Sequence, residues 1–212
     1  MNVIVACLDT YRADCVAAAG RNDVIKTPNL DRLVHEGVLF ENAFGESQPT
    51  IQFRRTLQTG RRGFPFVGDY DTVGLWPTSP GWHKIPPEQP VLAEVLLDNG
   101  YATGLVADTY HMFKPTQNFT RGMGSWDFIR GQETDNFRTG PLDAIDFSKY
   151  TPPGHPVSPR VAQYLLNVQD RAGELDYFAA RVFSSALRFI EDNEKNQPFF
   201  LWIDSFDPHE PW

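Results

Sequence analysis

Short apolar runs divide the chain into predicted strands. Residues 3–8, 101–107 and 198–203 are dominated by aliphatic and aromatic side chains, and polar residues follow each run. Unbroken apolar runs of this length are typical of parallel strands that are buried on both faces. Residues 38–40 form a shorter run of the same kind and are predicted as a further strand.

Helical patterns lie between these runs. Residues 27–36 begin with capping residues and a proline and are followed by a glycine, which are the usual signals for the two ends of a helix. Residues 50–58 lack glycine and proline, and residues 90–99 repeat leucine and valine at helical spacing. Residues 160–195 predict two helices with a break near residue 172. The alternation predicts an α/β fold, with a mostly parallel central sheet and helices on both faces.

The remaining segments carry weaker patterns. Residues 175–190 place apolar side chains on one stripe of the last helix, which we interpret as core. Residues 63–90 are rich in proline, glycine and aromatic residues. Because a loop of this length in a compact domain tends to be functional, we expect it to form a wall of a pocket. Residues 112–160 have mixed polarity and are interpreted as an insertion within one domain.

Composition disfavours several classes of protein. The 212 residues carry a formal net charge of −8, and 41% of them are hydrophobic, which suits a globular chain and disfavours a nucleic-acid partner. Cys7 and Cys15 form neither a disulfide framework nor a CxxC metal pattern, which favours a reducing compartment. We recognise neither an export signal nor an apolar run of membrane-spanning length. A cytoplasmic protein without a membrane partner is therefore expected.

Polar residues with possible chemistry follow each of the long apolar runs. Asp9 follows the first, Asp108 and His111 follow the second, and His209 lies in a proline-flanked loop after the last. Because ligands of open α/β sheets gather at the carboxyl ends of strands, these residues are candidates for metal or substrate contacts. Two alternatives stay open. Asp9 can cap the following turn, and His111 can be a stacked or hydrogen-bonded structural histidine.

Residues 48–61 contain the strongest candidate for catalysis. Pro49 precedes Thr50, so the Thr50 hydroxyl is predicted at a helix N-terminus, and Arg54 projects from the same face one turn later. Free backbone N–H groups and the helix dipole favour an anion at such a position, where a hydroxyl can act as a nucleophile. The alternative interpretation is a helix-capping threonine followed by a surface arginine.

Several segments together resemble the amino-terminal half of the sulfatase family. They are residues 27–33, residues 36–43, residues 59–61 and residues 207–212, the last of which is similar to the family's His-x-Pro segment. The family belongs to the alkaline phosphatase superfamily, whose members hydrolyse sulfate and phosphate esters at a divalent metal on an α/β fold. The resemblance implies that residues 1–212 are the amino-terminal part of a single catalytic domain, completed by a missing carboxy-terminal half or a partner chain.

The resemblance also implies roles for individual residues. Asp9 matches the family's first metal-binding aspartate, and Thr10 stands where a second aspartate is frequent. The family's Cys/Ser-x-Pro-x-Arg pattern reads TIQFR here, which puts Thr50 at the nucleophile position and Arg54 at the arginine. A rival register starts at Ser47 but has no arginine at the required place.

Substrate contacts depart further from the family pattern. Asp108 falls where the family has a lysine, and His111 lies one residue beyond the family's histidine, which leaves these two as the candidates for substrate binding. His209 matches the histidine of the His-x-Pro segment. It is expected to bind the transferred group or to assist a proton transfer.

The implied protein is a metal-dependent ester hydrolase. A divalent ion (Ca, Mg, Mn or Zn) held by Asp9 and Thr50 would activate the Thr50 hydroxyl toward a small anionic ester, with Arg54 stabilising the developing charge. Classical sulfatases convert their Cys or Ser to formylglycine, and threonine has no evident route to that aldehyde. We therefore expect phosphate or phosphonate esters as substrates at least as much as sulfate esters. The alternative is a non-catalytic homologue or fragment that binds anionic ligands or a partner.

Overall fold

A parallel sheet of four strands forms the centre of the described part of the chain. The computed structural model describes residues 1–20, 24–63, 81–113 and 117–209. The strands are β1 (Val3–Leu8), β2 (Ala102–Ala107), β3 (Ser125–Phe128) and β4 (Phe199–Ser205). Their order in the sheet is β1-β4-β2-β3, and every neighbouring pair is parallel. The last strand in the chain therefore lies between two earlier ones.

Helices cover both faces of this sheet. They are α1 (Pro28–Glu36), α2 (Thr50–Thr59), α3 (Leu92–Asp98), α4 (Pro159–Asn167) and α5 (Phe178–Asp192). Leu105 of β2 lies in one core with Ile51 of α2 and Ala93 of α3. Its neighbour Val106 points the other way, into a second core with Val182 of α5. The predicted α/β architecture is therefore confirmed.

The helices of the described segments are short compared with a membrane span. The longest of them, α5, has 15 residues. None of the helices in residues 1–20, 24–63, 81–113 and 117–209 is long and apolar enough to cross a membrane.

Strand register brings the polar residues at the strand ends to one edge of the sheet. Asp204 of β4 is the partner of Cys7 in β1 and of Ala107 in β2. Asp9 follows β1 directly and donates its backbone N–H to the carbonyl of Ser205 at 2.9 Å. Since all the strands run in parallel, their carboxyl ends meet beside the start of α2.

Two predictions about strands differ from the structure. Residues 38–40 were expected to form a strand, but they are exposed and lie in no ladder with the described strands, so that prediction is wrong. An apolar run forms a strand only where a neighbouring strand offers free backbone groups. The short strand β3 lies within residues 112–160, where no strand was predicted, because its alternation of polar and aromatic side chains covers only four residues.

The apolar stripe predicted for residues 175–190 is narrower than expected. Val182 and Ala186 are fully buried against the sheet, but Leu175 and Leu187 are exposed. Leu175 lies before the first residue of α5, in a short 3-10 turn at Glu174–Asp176. Leu187 is turned by about 100° from Ala186 around the helix axis and so leaves the buried face.

Substitutions on α5 separate the buried face from the exposed one. Val182 is 0% exposed and Leu187 is 60% exposed. V182A should lower the free energy of unfolding by about 2 kcal/mol, because two buried methyl groups are lost and a cavity remains. L187A serves as the control and should change it by less than about 0.5 kcal/mol. Urea unfolding of both variants measures the difference, and an equal loss in the two would contradict the assigned face.

Candidate active site

A cleft of about 380 Å³ opens at the carboxyl edge of the sheet, between the end of β1 and the start of α2. Asp9, Thr50, Arg54 and His209 all line it. These four residues come from three separate parts of the chain. The structure therefore brings together the candidate metal ligand, nucleophile, arginine and loop histidine. Their chemical roles stay predictions.

Thr50 stands on the first turn of α2, as predicted. The helix begins at Thr50 itself, and the N-cap position belongs to Pro49, with no side-chain hydrogen bond to the helix end. The alternative that Thr50 is a capping residue is therefore wrong. The side chain is nearly buried but reaches the cleft, where the first-turn N–H groups of α2 have no partner within the helix. A hydroxyl in this position lies in the positive field of the helix end.

Arg54 is buried, so the alternative of a surface arginine is also wrong. Its exposed fraction is 1%. The guanidinium forms a two-pronged ion pair with Asp204, through Nε to Oδ2 at 2.7 Å and through Nη2 to Oδ1 at 2.7 Å. Its Nη1 donates to Asp9 Oδ2 at 2.9 Å and to the Thr50 carbonyl at 3.1 Å. One side chain thus connects the candidate metal ligand to the backbone of the candidate nucleophile.

Electrostatics keep this guanidinium charged. Burial by itself lowers the pKa of Arg54, but the negative charge and the hydrogen bonds of Asp204 outweigh burial and raise the pKa above its ordinary value. The charge of Asp9 acts in the same direction. The cleft floor is therefore a permanent network of one cation between two carboxylates.

Asp204 is a site residue that the sequence reasoning did not assign. It is fully buried at the end of β4. Asp204 accepts two hydrogen bonds in addition to those from Arg54. The Thr109 hydroxyl donates to Asp204 Oδ1 at 2.6 Å, and the Trp202 indole N–H donates to Asp204 Oδ2 at 3.0 Å. The signal that could have found it is its position near the end of an apolar run, which it shares with Asp9 and Asp108.

The cleft also exposes one edge of Cys7, whose thiol stays protonated. Burial and then the charge of Asp204 raise the pKa of Cys7 to about 12. Such a thiol is a poor nucleophile at neutral pH. Cys7 and Cys15 are both free cysteines, and the cytoplasmic location expected from them stays a prediction.

Asp108 and His111 are buried and are not among the described residues that line the cleft. Asp108 is fully buried, and its Oδ1 accepts the backbone N–H of Phe206 at 2.6 Å. His111 is buried beside the Trp82 and Tyr110 rings, with Nε2 placed 2.9 Å from Glu133 Oε2. Neither of the two lines the cleft, so their assignment to substrate contact remains an untested prediction.

His209 occupies the loop after β4 and lines the cleft. Its ring stacks on Phe206 with centroids 4.3 Å apart and planes 20° apart. Its backbone N–H donates to the Phe206 carbonyl at 2.9 Å. The stacking fixes the ring plane at the cleft wall, and the role of the imidazole in proton transfer stays a prediction.

The cleft offers oxygen ligands of the kind that hard divalent cations prefer. Asp9 supplies a carboxylate whose side chain is 10% exposed, and the hydroxyls of Thr10 and Thr50 and the amide of Gln48 line the same space. Thr10 has a φ of 52°, which is strained for a β-branched residue and is a feature that clusters at functional sites. Across residues 1–20, 24–63, 81–113 and 117–209, no group of three or more His, Cys, Asp or Glu residues converges on one point. The described residues therefore suit part of a cation site and not a complete one.

Comparison with known proteins identifies the family. The family model described as Sulfatase matches residues 1–212. The chain belongs to the sulfatase family. It is 23% identical over 211 residues to an N-acetylglucosamine-6-O-sulfatase from Bacteroides thetaiotaomicron and 21% identical over 229 residues to the iduronate 2-sulfatase of Homo sapiens. Both alignments include 100% of this sulfatase-family chain but only 31% and 36% of the relatives. The chain thus spans about a third of their length.

Solved structures show the same fold. The phosphonate monoester hydrolase of Agrobacterium radiobacter superposes with a TM-score of 0.65 at 20% sequence identity, over 99% of this chain and 41% of the hydrolase. At that identity the likeness concerns the fold alone. The predicted resemblance to the sulfatase family and its alkaline phosphatase superfamily fold is confirmed.

The buried Asp108 predicts an unusual dependence of stability on pH. Burial raises the pKa of Asp108 well above its ordinary value, and the hydrogen bond from Phe206 opposes the rise only in part. The folded protein therefore binds this proton more tightly than the unfolded chain. The stability that Asp108 contributes is fully present below about pH 4 and is lost as the pH rises toward its folded value, by at most about 1.4 kcal/mol per pH unit.

D108N removes this titration while keeping the shape of the side chain. The free energy of unfolding of D108N, measured relative to the wild type in urea, should therefore increase as the pH is raised from 5 to 8. A difference that stays constant over that range would show that Asp108 does not carry a raised pKa in the folded protein.

Proposed function

We propose that this sulfatase-family chain carries the nucleophile of a metal-dependent hydrolase that acts on small anionic esters, with Thr50 as the attacking residue. The observation that supports this most directly is the position of Thr50, at the first turn of α2 and in one cleft with Asp9 and His209. The dipole of α2 favours ionisation of a hydroxyl at this point.

The metal site would use the oxygen atoms of Asp9 and Thr50. A divalent ion bound there would lower the pKa of the Thr50 hydroxyl and polarise a non-bridging oxygen of the ester. Because the described residues supply only part of a ligand set, the remaining ligands would come from elsewhere in the complete protein. This agrees with a chain that spans about a third of its curated relatives. We propose that residues 1–212 are the amino-terminal part of one catalytic domain.

The chain's own residues would carry out a double displacement. Thr50 Oγ attacks the central phosphorus or sulfur atom, a new bond forms to that oxygen, and the bond to the leaving alcohol oxygen breaks. His209, which lines the same cleft, would handle the proton that leaves the Thr50 hydroxyl or the proton that the leaving oxygen takes up. Water then cleaves the threonine ester, which releases the acid and restores the hydroxyl. The ion pair of Arg54 with Asp9 keeps the cleft carboxylate in place throughout.

Threonine as nucleophile favours phosphate or phosphonate esters at least as much as sulfate esters. A hydrated aldehyde can expel sulfate by elimination, whereas an unmodified threonine has to release its covalent product by hydrolysis. A bound divalent metal would stabilise the charge that develops in that hydrolysis when the transferred group is a phosphoryl group. Both activities occur among the similar proteins, whose names include sulfatases and a phosphonate monoester hydrolase.

A second candidate function is a non-catalytic homologue that binds anionic ligands or a partner. It is supported by the absence, among the described residues, of three or more converging His, Cys, Asp or Glu ligands. The buried Asp108, where the family pattern has a cationic substrate contact, also supports it. Cation binding by the complete protein distinguishes the two candidates, since only the hydrolase requires it.

Thr50 variants test the nucleophile. T50V keeps the shape of the side chain and removes the hydroxyl, so the complete protein should lose at least about 1,000-fold in kcat. The assay compares p-nitrophenyl phosphate, phosphonate and sulfate with Mg²⁺, Mn²⁺ or Ca²⁺ present. We expect the phosphate or phosphonate to be cleaved at least as fast as the sulfate. Cleavage of the sulfate alone would refute the substrate class, and full activity of T50V would refute the nucleophile.

Asp9 variants test the cation site without any substrate. D9N should weaken Mn²⁺ binding to the complete protein by at least about 10-fold, because a neutral amide replaces the carboxylate that faces the cleft. D98N removes a carboxylate from the exposed surface of α3 and serves as the control, with unchanged binding expected. Electron paramagnetic resonance of free Mn²⁺ measures both. Equal affinities of D9N and the wild type would exclude Asp9 as a ligand.

A further inference from the structure

We propose that Asp204 is a positioning residue that acts through Arg54, and that Arg54 itself makes no contact with the substrate. This deepens the proposed ester hydrolysis and rests on it for the kinetic part of the test. The argument depends on the hydrogen-bonding capacity of the guanidinium, the burial of Asp204 and the position of Asp9.

Every N–H of Arg54 already faces a protein acceptor. A guanidinium has five N–H groups. Nε and Nη2 donate to the two carboxylate oxygens of Asp204, each at 2.7 Å, and Nη2 also faces Thr109 Oγ1 at 3.4 Å. Nη1 donates to Asp9 at 2.9 Å and to the Thr50 carbonyl at 3.1 Å. A substrate oxygen could therefore bind Arg54 only by displacing one of these acceptors from a side chain that is almost fully buried.

Asp204 is held more firmly than an ordinary ion-pair partner. Its Oδ1 accepts from the Thr109 hydroxyl at 2.6 Å and its Oδ2 accepts from the Trp202 indole at 3.0 Å, in addition to the two bonds from Arg54. Asp204 lies on β4, between β1 and β2, and has no exposed surface. Four donors on two oxygens fix the plane of the carboxylate and, through it, the plane of the guanidinium.

This fixed plane determines the geometry on the cleft side of Arg54. The same Nη1 atom bonds both Asp9 and the Thr50 carbonyl, so it sets how far the cleft carboxylate stands from the first turn of α2. Asp204 thereby acts on Asp9 and on the Thr50 carbonyl through Arg54. Its contribution is to position them.

Asp204 also determines the charge that the cleft presents. Two carboxylates around one guanidinium leave a net charge of −1, and Asp9 is the carboxylate with access to the cleft. If Asp204 were neutral, Arg54 would compensate Asp9 alone and the excess negative charge would disappear. A cation beside Asp9 would then be bound less tightly, although Asp204 is not among its ligands.

D204N in the complete protein tests the proposal, with D135N as the matched control. Asp135 is a buried carboxylate held by a two-pronged pair with Arg130, at 2.6 and 2.9 Å, and it does not line the cleft. D204N should lower kcat for the best ester of the panel by about 100-fold with KM changed less than about 3-fold, because a positioning effect is felt in the transition state. It should also weaken Mn²⁺ binding. D135N should keep kcat and Mn²⁺ affinity within about 3-fold of the wild type.

A double variant tests whether Asp204 acts through Arg54. The combined R54K and D204N substitutions should lower kcat no further than the worse single variant, because both disrupt the same Arg54–Asp204 ion pair. Losses that multiply would overturn the proposal, as would wild-type kcat and Mn²⁺ affinity in D204N. If D204N does not fold, T109V removes one donor from Asp204 without changing any charge, and the proposal then requires a smaller fall in kcat of about 3- to 10-fold at unchanged KM.

A measurement without substrate separates this proposal from the proposed function. In protein with ¹⁵N-labelled arginine, the Arg54 Nε–H should exchange slowly with water in the wild type and rapidly in D204N. If the wild type hydrolyses none of the esters, the proposed function fails and the exchange result alone decides the role of Asp204. Slow exchange that persists in D204N would show that Asp204 does not hold the guanidinium.

Discussion

One buried guanidinium joins three parts of the fold that are far apart in the chain. Asp9 follows β1, Arg54 belongs to α2, and Asp204 lies 150 residues after Arg54, near the end of β4. A charge in the interior is tolerated only where its partners satisfy it, and removing one partner of such a pair typically costs about 3 to 5 kcal/mol. The position of α2 against the sheet edge is therefore set by polar contacts as well as by apolar packing. The hydrogen bonds of Arg54 also fix the position of Thr50, because the Thr50 carbonyl is one of the five acceptors around Arg54.

Strand order is what makes this network possible. β4 is the last strand in the chain but lies between β1 and β2, so Asp204 reaches the middle of the edge with Asp9 on one side and Thr109 on the other. The inner faces of β4 are apolar, with neighbours in both cores. Hydrophobic burial thus fixes the position of β4, and the Asp204 carboxylate lies near the carboxyl end of that strand. The cleft is a consequence of the same topology, because the carboxyl ends of parallel strands leave an open edge that a helix terminus can border.

Sequence patterns were sufficient for the elements that depend on local signals. The apolar runs of β1, β2 and β4 and the caps of α1 predicted their elements closely, and Thr50 was placed at a helix start because Pro49 precedes it. Long-range pairing was not accessible in this way. No local feature indicated that Asp204 would meet Arg54, because their contact depends on the order of the strands. The prediction of a strand at residues 38–40, which are exposed, was wrong for the same reason. A strand needs a neighbouring strand to pair with, and local sequence does not identify that neighbour.

The sequence also did not predict the direction in which individual side chains point. Asp108 and His111 follow β2 just as Asp9 follows β1, and the carboxyl-end argument treats all three alike. In the structure Asp108 instead turns inward to the Phe206 N–H, and His111 packs among aromatic rings beside Glu133. The position of these three residues after apolar runs correctly predicted that they lie at the carboxyl edge of the sheet. Only packing decided which side chains face the cleft.

The charge balance of the cleft links the substrate to the cation. Arg54 is occupied by two carboxylates, so the described charges of this network sum to −1 and would repel an anionic ester. The helix N-terminus at Thr50 supplies only a partial positive charge of about one half. Under the proposed function, an anionic substrate would therefore need a further cation beside Asp9 before it approached the Thr50 hydroxyl. The proposed hydrolysis of anionic esters therefore depends on cation binding at Asp9. Binding of a neutral partner to the same cleft would not require a cation.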